Sequence, residues 1–398
     1  MAERLIRALD GAHAVAEAMR QIDPDVVAAY PITPQTAVVQ TFSEFVADGL
    51  VGTEFVAVES EHAAMSACVG AAAAGGRVMT ATSANGLALM WEVLYIAASL
   101  RLPIVMTTVN RALSAPLNIH CDHSDSMGAR DAGWIHIFAE NAQEAYDNTL
   151  QAVRIAEHPD LLLPVMSMQD GFITGHGVER VEVLPDEVAK RFVGEYRPAF
   201  SILDVDHPIT MGAWDFYDYY FEHKRQQSDA ISRALPVIEA VGREYGELTG
   251  RYYGILETFG MEDAEIAIVV LSSTAGTART VVRRARAEGV KVGLVKPRVF
   301  RPFPDRHLVE VLSGCRAVAV LDRSISFGAM EGAGPLFLEL CSAFFAHKAC
   351  QTEIVDYIFG LGGRDILPEH IEQVIRDLQE ITRTGKRGPL VRYLGLRE

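Results

Sequence analysis

The stretch Val26-Val27-Ala28-Ala29-Tyr30-Pro31-Ile32-Thr33-Pro34 decides how this chain is read. Four apolar residues make a short strand, and two prolines stop it, because proline fixes φ and brings no N–H to a sheet ladder. The prolines leave a rigid loop at the carboxyl end of the strand, the edge where open α/β sheets hold ligands. Thr33 is therefore expected to be a hydroxyl fixed at a site mouth. One α/β step later Phe55-Val56-Ala57-Val58 runs into Glu59-Ser60-Glu61-His62-Ala63-Ala64. The acidic pair opens a segment of Ala, Ser, Cys and Gly that reads as a tightly packed helix, which puts a carboxylate in its first turn as a candidate buried acid.

Outward from these two segments, short apolar runs alternate with helical stretches, the pattern of parallel sheets covered by helices. Gly11 to Met19 reads as a helix, Val26 to Ala29 as a strand, and Arg77 to Ser83 as another ending in Ser83-Ala84-Asn85-Gly86. A helix is expected from Leu87 to Leu100, with strands from Pro103 to Val109 and from Leu161 to Met168. Between about Gly177 and Asp263 prolines punctuate an irregular stretch, and Phe216 to Tyr252 is aromatic, charged and helical in period with no clear strand. Glu265 to Leu271 begins a second α/β unit, followed by the loop Ser272-Ser273-Thr274-Ala275-Gly276-Thr277, a helix over Ala278 to Glu288, and strands Val290 to Val295 and Ala317 to Leu321. The fold class is α/β, with two parallel-sheet domains over 1–176 and 264–398 and an irregular and helical connector over 177–263.

Composition excludes several classes. The net charge of 36 − 52 = −16 argues against nucleic acid or an anionic membrane surface as partner. No apolar run approaches the roughly 20 residues of a spanning helix, and Met1-Ala2-Glu3-Arg4 carries no signal-peptide pattern, so a cytoplasmic location is expected. The five cysteines (Cys68, Cys121, Cys315, Cys341, Cys350) contain no Cys-x-x-Cys pair, so neither an iron–sulfur cluster nor a structural zinc is expected within the chain.

Three segments admit a bland reading beside a functional one. Ser272 to Thr277 opens a helix, where backbone N–H groups can cradle an anion, yet it lacks the lysine of a phosphate loop and the glycine spacing of a dinucleotide site. Gly360-Leu361-Gly362-Gly363-Arg364-Asp365 reads as a tight turn and helix entry. His120-Cys121-Asp122-His123 has two imidazoles but no further clustered ligands; no metal site is assigned, and Asp122 or His123 is expected in a hydrogen-bond network beneath the site. Arg111 leaves a buried strand at the sheet's carboxyl edge, where its planar fork suits a carboxylate. A structural clamp on a helix end is the alternative.

Taken together, Tyr30 to Pro34, Val58-Glu59-Ser60-Glu61-His62, Ala81 to Met90, Asn110 to Pro116 and Asp122-His123-Ser124-Asp125 resemble the alpha subunits of the pyruvate:ferredoxin oxidoreductase (pyruvate synthase) family. Val295 to Pro304, Leu321 to Gly328 and Phe359 to Asp365 continue the resemblance in the same order. The chain departs from it at His120-Cys121, where Trp-Asn or Phe-Gly commonly precedes the Asp-His pair.

The resemblance implies a pyrimidine-binding domain of the thiamine enzymes followed by a transketolase C-terminal-like domain. It implies thiamine pyrophosphate shared with a beta subunit that holds the diphosphate and Mg2+, and no Gly-Asp-Gly with a distant Asn occurs here. [4Fe-4S] clusters are expected in partner subunits, among them gamma and delta (ferredoxin-like) chains, with ferredoxin as acceptor. By resemblance Glu61 is the catalytic acid at the pyrimidine ring, Thr33 and Arg111 bind the 2-oxoacid, and Tyr30, Ser83, Asn85 and Gly86 lie against the cofactor. The implied reaction is oxidative decarboxylation of pyruvate with coenzyme A to acetyl-CoA and CO2, reversible. The motifs fix reaction type better than substrate: 2-oxoisovalerate and 2-oxoglutarate remain alternatives, as does a non-catalytic structural subunit. A Rossmann-like dinucleotide binder is disfavoured by the absence of Gly-x-Gly-x-x-Gly.

Overall fold

Two helix-covered sheets arise from one alternating run of strands and helices, seen in a computed structural model that describes residues 5–397. The start Met1-Ala2-Glu3-Arg4 lies outside the described residues, as does Glu398. In chain order the first part holds β1 (Leu5–Leu9), α1 (Gly11–Ile22), β2 (Val26–Ala29), α2 (Thr36–Ala47), β3 (Glu54–Ala57), α3 (Glu61–Ala73), β4 (Val78–Thr82), α4 (Ala84–Leu89), α5 (Trp91–Ser99), β5 (Val105–Asn110), α6 (Ser124–Gly128), β6 (Ile135–Phe138), α7 (Ala142–Ala156) and β7 (Val165–Asp170). Next come β8 (Glu179–Val183), α8 (Asp186–Val193), α9 (Tyr220–Ser232), α10 (Ala234–Thr249) and β9 (Leu256–Phe259). The last part holds β10 (Ile266–Val270), α11 (Thr274–Ala287), β11 (Val292–Pro297), β12 (Val299–Arg301), α12 (Asp305–Leu312), β13 (Ala317–Asp322), α13 (Pro335–Ala346), β14 (Glu353–Ile358), α14 (Pro368–Thr384) and β15 (Val391–Tyr393).

The first sheet has seven strands in the order β12-β6-β7-β5-β4-β2-β3, all parallel except β12. The second has six, β15-β14-β13-β10-β11-β9, all parallel except β9. Central strands such as β4, β5, β7, β10 and β13 are buried along their whole length, and β10 and β13 accordingly read as near-continuous apolar runs, while β4, β5 and β7 bury threonines, a serine and amide or acid side chains as well. Among the described residues, no helix is long and apolar enough to cross a membrane.

Three features depart from the sequence reading. The expected helix Leu87–Leu100 is two helices, α4 and α5, abutting at Met90. The stretch 177–263 holds two strands beside its helices: β8 pairs antiparallel with β1, and β9 closes an edge of the second sheet. Alternating charges in Glu179-Arg180-Val181-Glu182 hid the first of these, because a two-stranded ribbon needs little burial. Finally β12 crosses back to the first sheet, pairing Val299 with Ile137.

Buried charges hold that crossing. Lys296, at the end of β11, donates to Glu140 (2.8 Å) and Glu144 (2.6 Å), and Arg298 donates to Asn148 (2.9 Å) and Gln151 (3.0 Å), the last three acceptors all on α7. Burial alone would lower the Lys296 ammonium, but Glu144, Glu140 and Glu257 hold it well above its ordinary value. The segment 249–253 is tied to the same helix. Arg251 makes a two-bond fork to Asp147 (2.8 and 2.9 Å), and the hydroxyls of Tyr245 and Tyr253 donate to that carboxylate as well.

Candidate active site

The carboxyl ends of β2, β3, β4 and β5 lie at one edge of the first sheet, and the segments leaving them carry the residues singled out by sequence. The Tyr30–Pro34 turn is held by Gln35, fully buried, whose amide oxygen accepts from Ile32 N–H (3.2 Å) and whose amide nitrogen donates to the Ala81 carbonyl on β4 (3.1 Å). Held this way, Tyr30 and Thr33 stand exposed at the rim. Arg111, 7 % exposed, lies beneath: its Nη1 donates to the Thr33 carbonyl (2.8 Å) and its Nε to the Asn118 carbonyl (3.0 Å). These two bonds fix the guanidinium plane, while Nη2 has no partner among the described residues. A fixed fork with donors to spare suits a carboxylate.

Glu61 is the first residue of α3, 6 % exposed. Ser60 caps the helix, its Oγ accepting from Ala63 N–H (3.2 Å), and the small side chains of α3 let it pack closely on β2 and β4. Among the described residues the Glu61 carboxylate has no hydrogen-bond or ion-pair partner. Its neighbour is the backbone of Gly86: a methyl group there would sit 2.6 Å from Glu61 Oε1 and 2.6 Å from Thr82 Oγ1. Only glycine lets α4 approach this closely. Thr82 Oγ1 is buried and also lacks a hydrogen-bond partner among the described residues. Buried polar atoms left unmatched inside the chain are the ones a ligand would satisfy.

The other expected residues divide. Asn85 is exposed on α4, and its Oδ1 accepts from Ser114 N–H (3.2 Å), linking α4 to the Arg111 loop. Ser83 is fully buried and its Oγ donates to the Val109 carbonyl (2.7 Å), so this hydroxyl joins β4 to β5. His120, at the departure from the family pattern, packs its ring on Phe172 at 5.1 Å between centroids.

Asp122 and His123 form the network beneath. Asp122 accepts from Gly362 N–H (3.0 Å), and Asn118 donates to the Gly362 carbonyl (3.0 Å), so the Gly360–Asp365 turn of the second sheet grips the Arg111 loop. His123 Nε2 bonds Asp170 Oδ1 (2.8 Å), while Asp170 Oδ2 accepts from Arg323 (3.1 Å) and from Ser273. Cys121, His123 and Asp170 bring ligand-type atoms within 4.8 Å of one another. The Asp170 oxygens are taken, however, and the Arg323 guanidinium beside them repels a cation. Sequence reasoning missed Asp170 and passed over Asp125, which bonds both site loops; an acid placed at a strand's carboxyl end was the available signal for the first.

Known proteins resemble this chain. A family model described as "Pyruvate flavodoxin/ferredoxin oxidoreductase, thiamine diP-bdg" matches residues 17–243, and one described as "Pyruvate:ferredoxin oxidoreductase core domain II" matches residues 264–371. The chain is 56 % identical over 402 residues to the pyruvate synthase subunit PorA of Thermotoga maritima, covering 100 % of both. It is 46 % identical to the PorA of Methanocaldococcus jannaschii, covering 94 % of this chain and 95 % of that one. The ketoisovalerate oxidoreductase subunit VorA of Pyrococcus horikoshii is 41 % identical, with 96 % and 95 % covered. Among solved structures, the 2-oxoglutarate:ferredoxin oxidoreductase from Magnetococcus marinus shares the fold with a TM-score of 0.71 at 21 % identity, over 95 % of this chain and 65 % of that chain. A split-gene transketolase shares it at a TM-score of 0.55 and 11 % identity, over 96 % of this chain and 100 % of that one.

Proposed function

The chain belongs to the pyruvate:ferredoxin oxidoreductase family, and from that premise we propose that it is the alpha subunit of a heteromeric pyruvate synthase, holding half of the active site. The complex converts pyruvate and coenzyme A to acetyl-CoA and CO2: the bond between the carboxylate and the carbonyl carbon breaks, and two electrons pass to ferredoxin. The observation that carries this reading is the buried, unpartnered Glu61 against Gly86, facing the same sheet edge as Arg111.

These residues fit the aminopyrimidine half of thiamine diphosphate. Glu61 offers a carboxylate for a ring nitrogen, Gly86 leaves the space a side chain would fill, and Thr82 offers an unmatched hydroxyl. When bound, thiamine diphosphate supplies the nucleophilic carbon and the electron sink that decarboxylation needs. Glu61, 6 % exposed, would hold the proton shared with the ring, at a buried position whose low local dielectric strengthens that bond. Arg111 binds the carboxylate of the 2-oxoacid, and Thr33 holds that carboxylate or the adjacent carbonyl. Tyr30 and Asn85 line the cofactor side at the rim. Ser83, bonded to Val109, contributes by holding β4 against β5.

The rest of the machinery belongs to partners. The sequence lacks the diphosphate motif and paired cysteines, which supports a beta subunit carrying Mg2+ and the diphosphate, and gamma and delta chains carrying [4Fe-4S] clusters. We take the domain bounds to be 1–176, 177–263 and 264–398, and we place the complex in the cytoplasm. Pyruvate is preferred over branched or dicarboxylic 2-oxoacids because the 56 % relative is a pyruvate synthase subunit, against 41 % for the ketoisovalerate one. Purification of the native complex and assay of pyruvate, 2-oxoisovalerate and 2-oxoglutarate with coenzyme A and a low-potential acceptor tests this. Pyruvate is expected to give the highest kcat/KM; preference for another 2-oxoacid would overturn the substrate assignment, and no turnover on any would overturn the reaction class.

A further inference from the structure

Asp125, on the short helix α6, is 3 % exposed and spends both carboxylate oxygens on groups from neighbouring elements. Oδ2 accepts from the backbone N–H of Ala84 (3.0 Å) and of Arg111 (3.0 Å). Oδ1 accepts from Asn110 Nδ2 (2.8 Å) and from Ser126 N–H (2.7 Å). Ala84 begins the turn that carries Asn85 and Gly86 against Glu61; Arg111 begins the loop whose guanidinium reaches Thr33. One oxygen atom thus bridges the ends of β4 and β5 at the two residues that lead into the two parts of the site. Both N–H groups are buried, so no water replaces the carboxylate if it is lost.

We propose that Asp125 is a positioning residue for 2-oxoacid turnover, holding the Gly86–Glu61 side of the site and the Arg111 side in register through a single carboxylate. The proposal rests on the assignment of Glu61 and Arg111 made above. An isosteric amide cannot do this work. Asparagine has one accepting oxygen and one NH2, and in either orientation the NH2 points at two N–H donors.

Burial pushes the Asp125 carboxyl up to about 6, while the bonds from Asn110 and from the backbone at Arg111, Ala84 and Ser126 oppose that rise. The elements packed on α6 add few competing charges: α4 has none, and β5 leads only into Arg111. On its own loop stand Cys121, Asp122 and His123, with Asp170 and Arg323 beyond them. Acidification through about pH 6 therefore turns one of the two accepting oxygens into a donor facing N–H groups.

The test is made on the whole complex. Asp125→Asn is expected to raise KM for the 2-oxoacid about tenfold and lower kcat about tenfold, with KM for coenzyme A within about twofold and faster hydrogen exchange at the Ala84 and Arg111 amides. An assembled variant with wild-type 2-oxoacid kinetics overturns the proposal, whether or not amide exchange quickens. Should that variant fail to assemble, Asn110→Ala decides. It removes a bond that favours the ionised carboxylate, so the acid fall in kcat/KM for the 2-oxoacid moves to higher pH. An unmoved fall, or none, overturns the proposal. If instead Glu61 and Arg111 are misassigned, Glu61→Gln and Arg111→Lys leave turnover intact, which separates that failure from this one.

Discussion

Each sheet sends a central strand into a helix through a buried, non-glycine residue in the left-handed region: Ala84 (φ 40°) after β4 and Ser272 (φ 58°) after β10. Locally the two turns are alike, and both begin at the carboxyl edge of a parallel sheet. Their surroundings differ. At the second turn Ser272 Oγ donates to the Ala139 carbonyl (2.7 Å), and Ser273 donates through both N–H and Oγ to Asp170, which also holds Arg323 and His123. At the first turn the Ala84 N–H is bonded to Asp125, but the Thr82 hydroxyl and the Glu61 carboxylate have no partner among the described residues, and Asn85 faces out. Position at the carboxyl edge is therefore not enough to mark a ligand site. The proposed site lies where polar groups stay unmatched after the two sheets have closed on each other.

The closed turn predicts the largest effect. Asp170 is fully buried between His123 and Arg323, so Asp170→Ala leaves a buried guanidinium uncompensated and is expected to cost about 3–5 kcal/mol, seen as a lower melting temperature of the assembled complex. Burial alone would raise the Asp170 carboxyl, but His123 and Arg323 hold it well below its usual range. Its contribution is thus complete above about pH 4 and is lost as pH falls below that. A variant as stable as the wild type would remove the distinction between the turns.

The open turn predicts losses of rate rather than of stability. Glu61→Gln is expected to leave assembly intact and cut turnover by roughly two orders of magnitude or more, since the carboxyl proposed to hold the cofactor proton is gone. Near-normal turnover would move the cofactor contact elsewhere. Arg111→Lys comes next: a point-charge ammonium cannot reproduce the fork, and kcat/KM for the 2-oxoacid should fall roughly thirtyfold, about 2 kcal/mol, with the coenzyme A KM much less affected. An unchanged 2-oxoacid profile would make Arg111 a clamp on the Thr33 and Asn118 carbonyls and nothing more.

The smallest effect compares the turns directly. Ala84→Gly relieves a left-handed residue and should stabilise by about 0.5–1 kcal/mol, whereas Ser272→Gly gains the same relief but gives up the Oγ bond to Ala139, leaving it neutral or worse. Melting temperatures of the two variants measured side by side check this; equal shifts would mean that the Ser272 hydroxyl contributes nothing.

Legibility followed the same division. β2, β4, β5, β10 and β13 were readable because strands buried on both faces are mostly apolar or β-branched, and prolines or small and polar residues end them. β8 and β12 were not, since one is a charged ribbon and the other is three residues between charged and proline positions, kept in place by β6. Within the proposed site, Thr33, Glu61 and Arg111 were singled out from their places at strand and helix ends and from family resemblance. Asp125 and Asp170 were not, because nothing within a few residues of either says what its oxygens touch.

By itself the sequence determined the α/β class, the small-residue helix that carries Glu61, the proline-bounded turn that carries Thr33, and the lack of diphosphate and cluster motifs. These depend on the chemistry of contiguous residues, which is local. Only the tertiary structure decided which polar groups are already spent. The partners that decide it are far apart in the chain: Arg323 reaches Asp170 across 153 positions, and the Gly362 N–H reaches Asp122 across 240. A hydrogen bond is a property of two surfaces brought together. Until the second sheet has closed over the Arg111 loop, the turn at Ser272 and the turn at Ala84 offer the same backbone donors, and folding leaves Glu61 unmatched among the described residues.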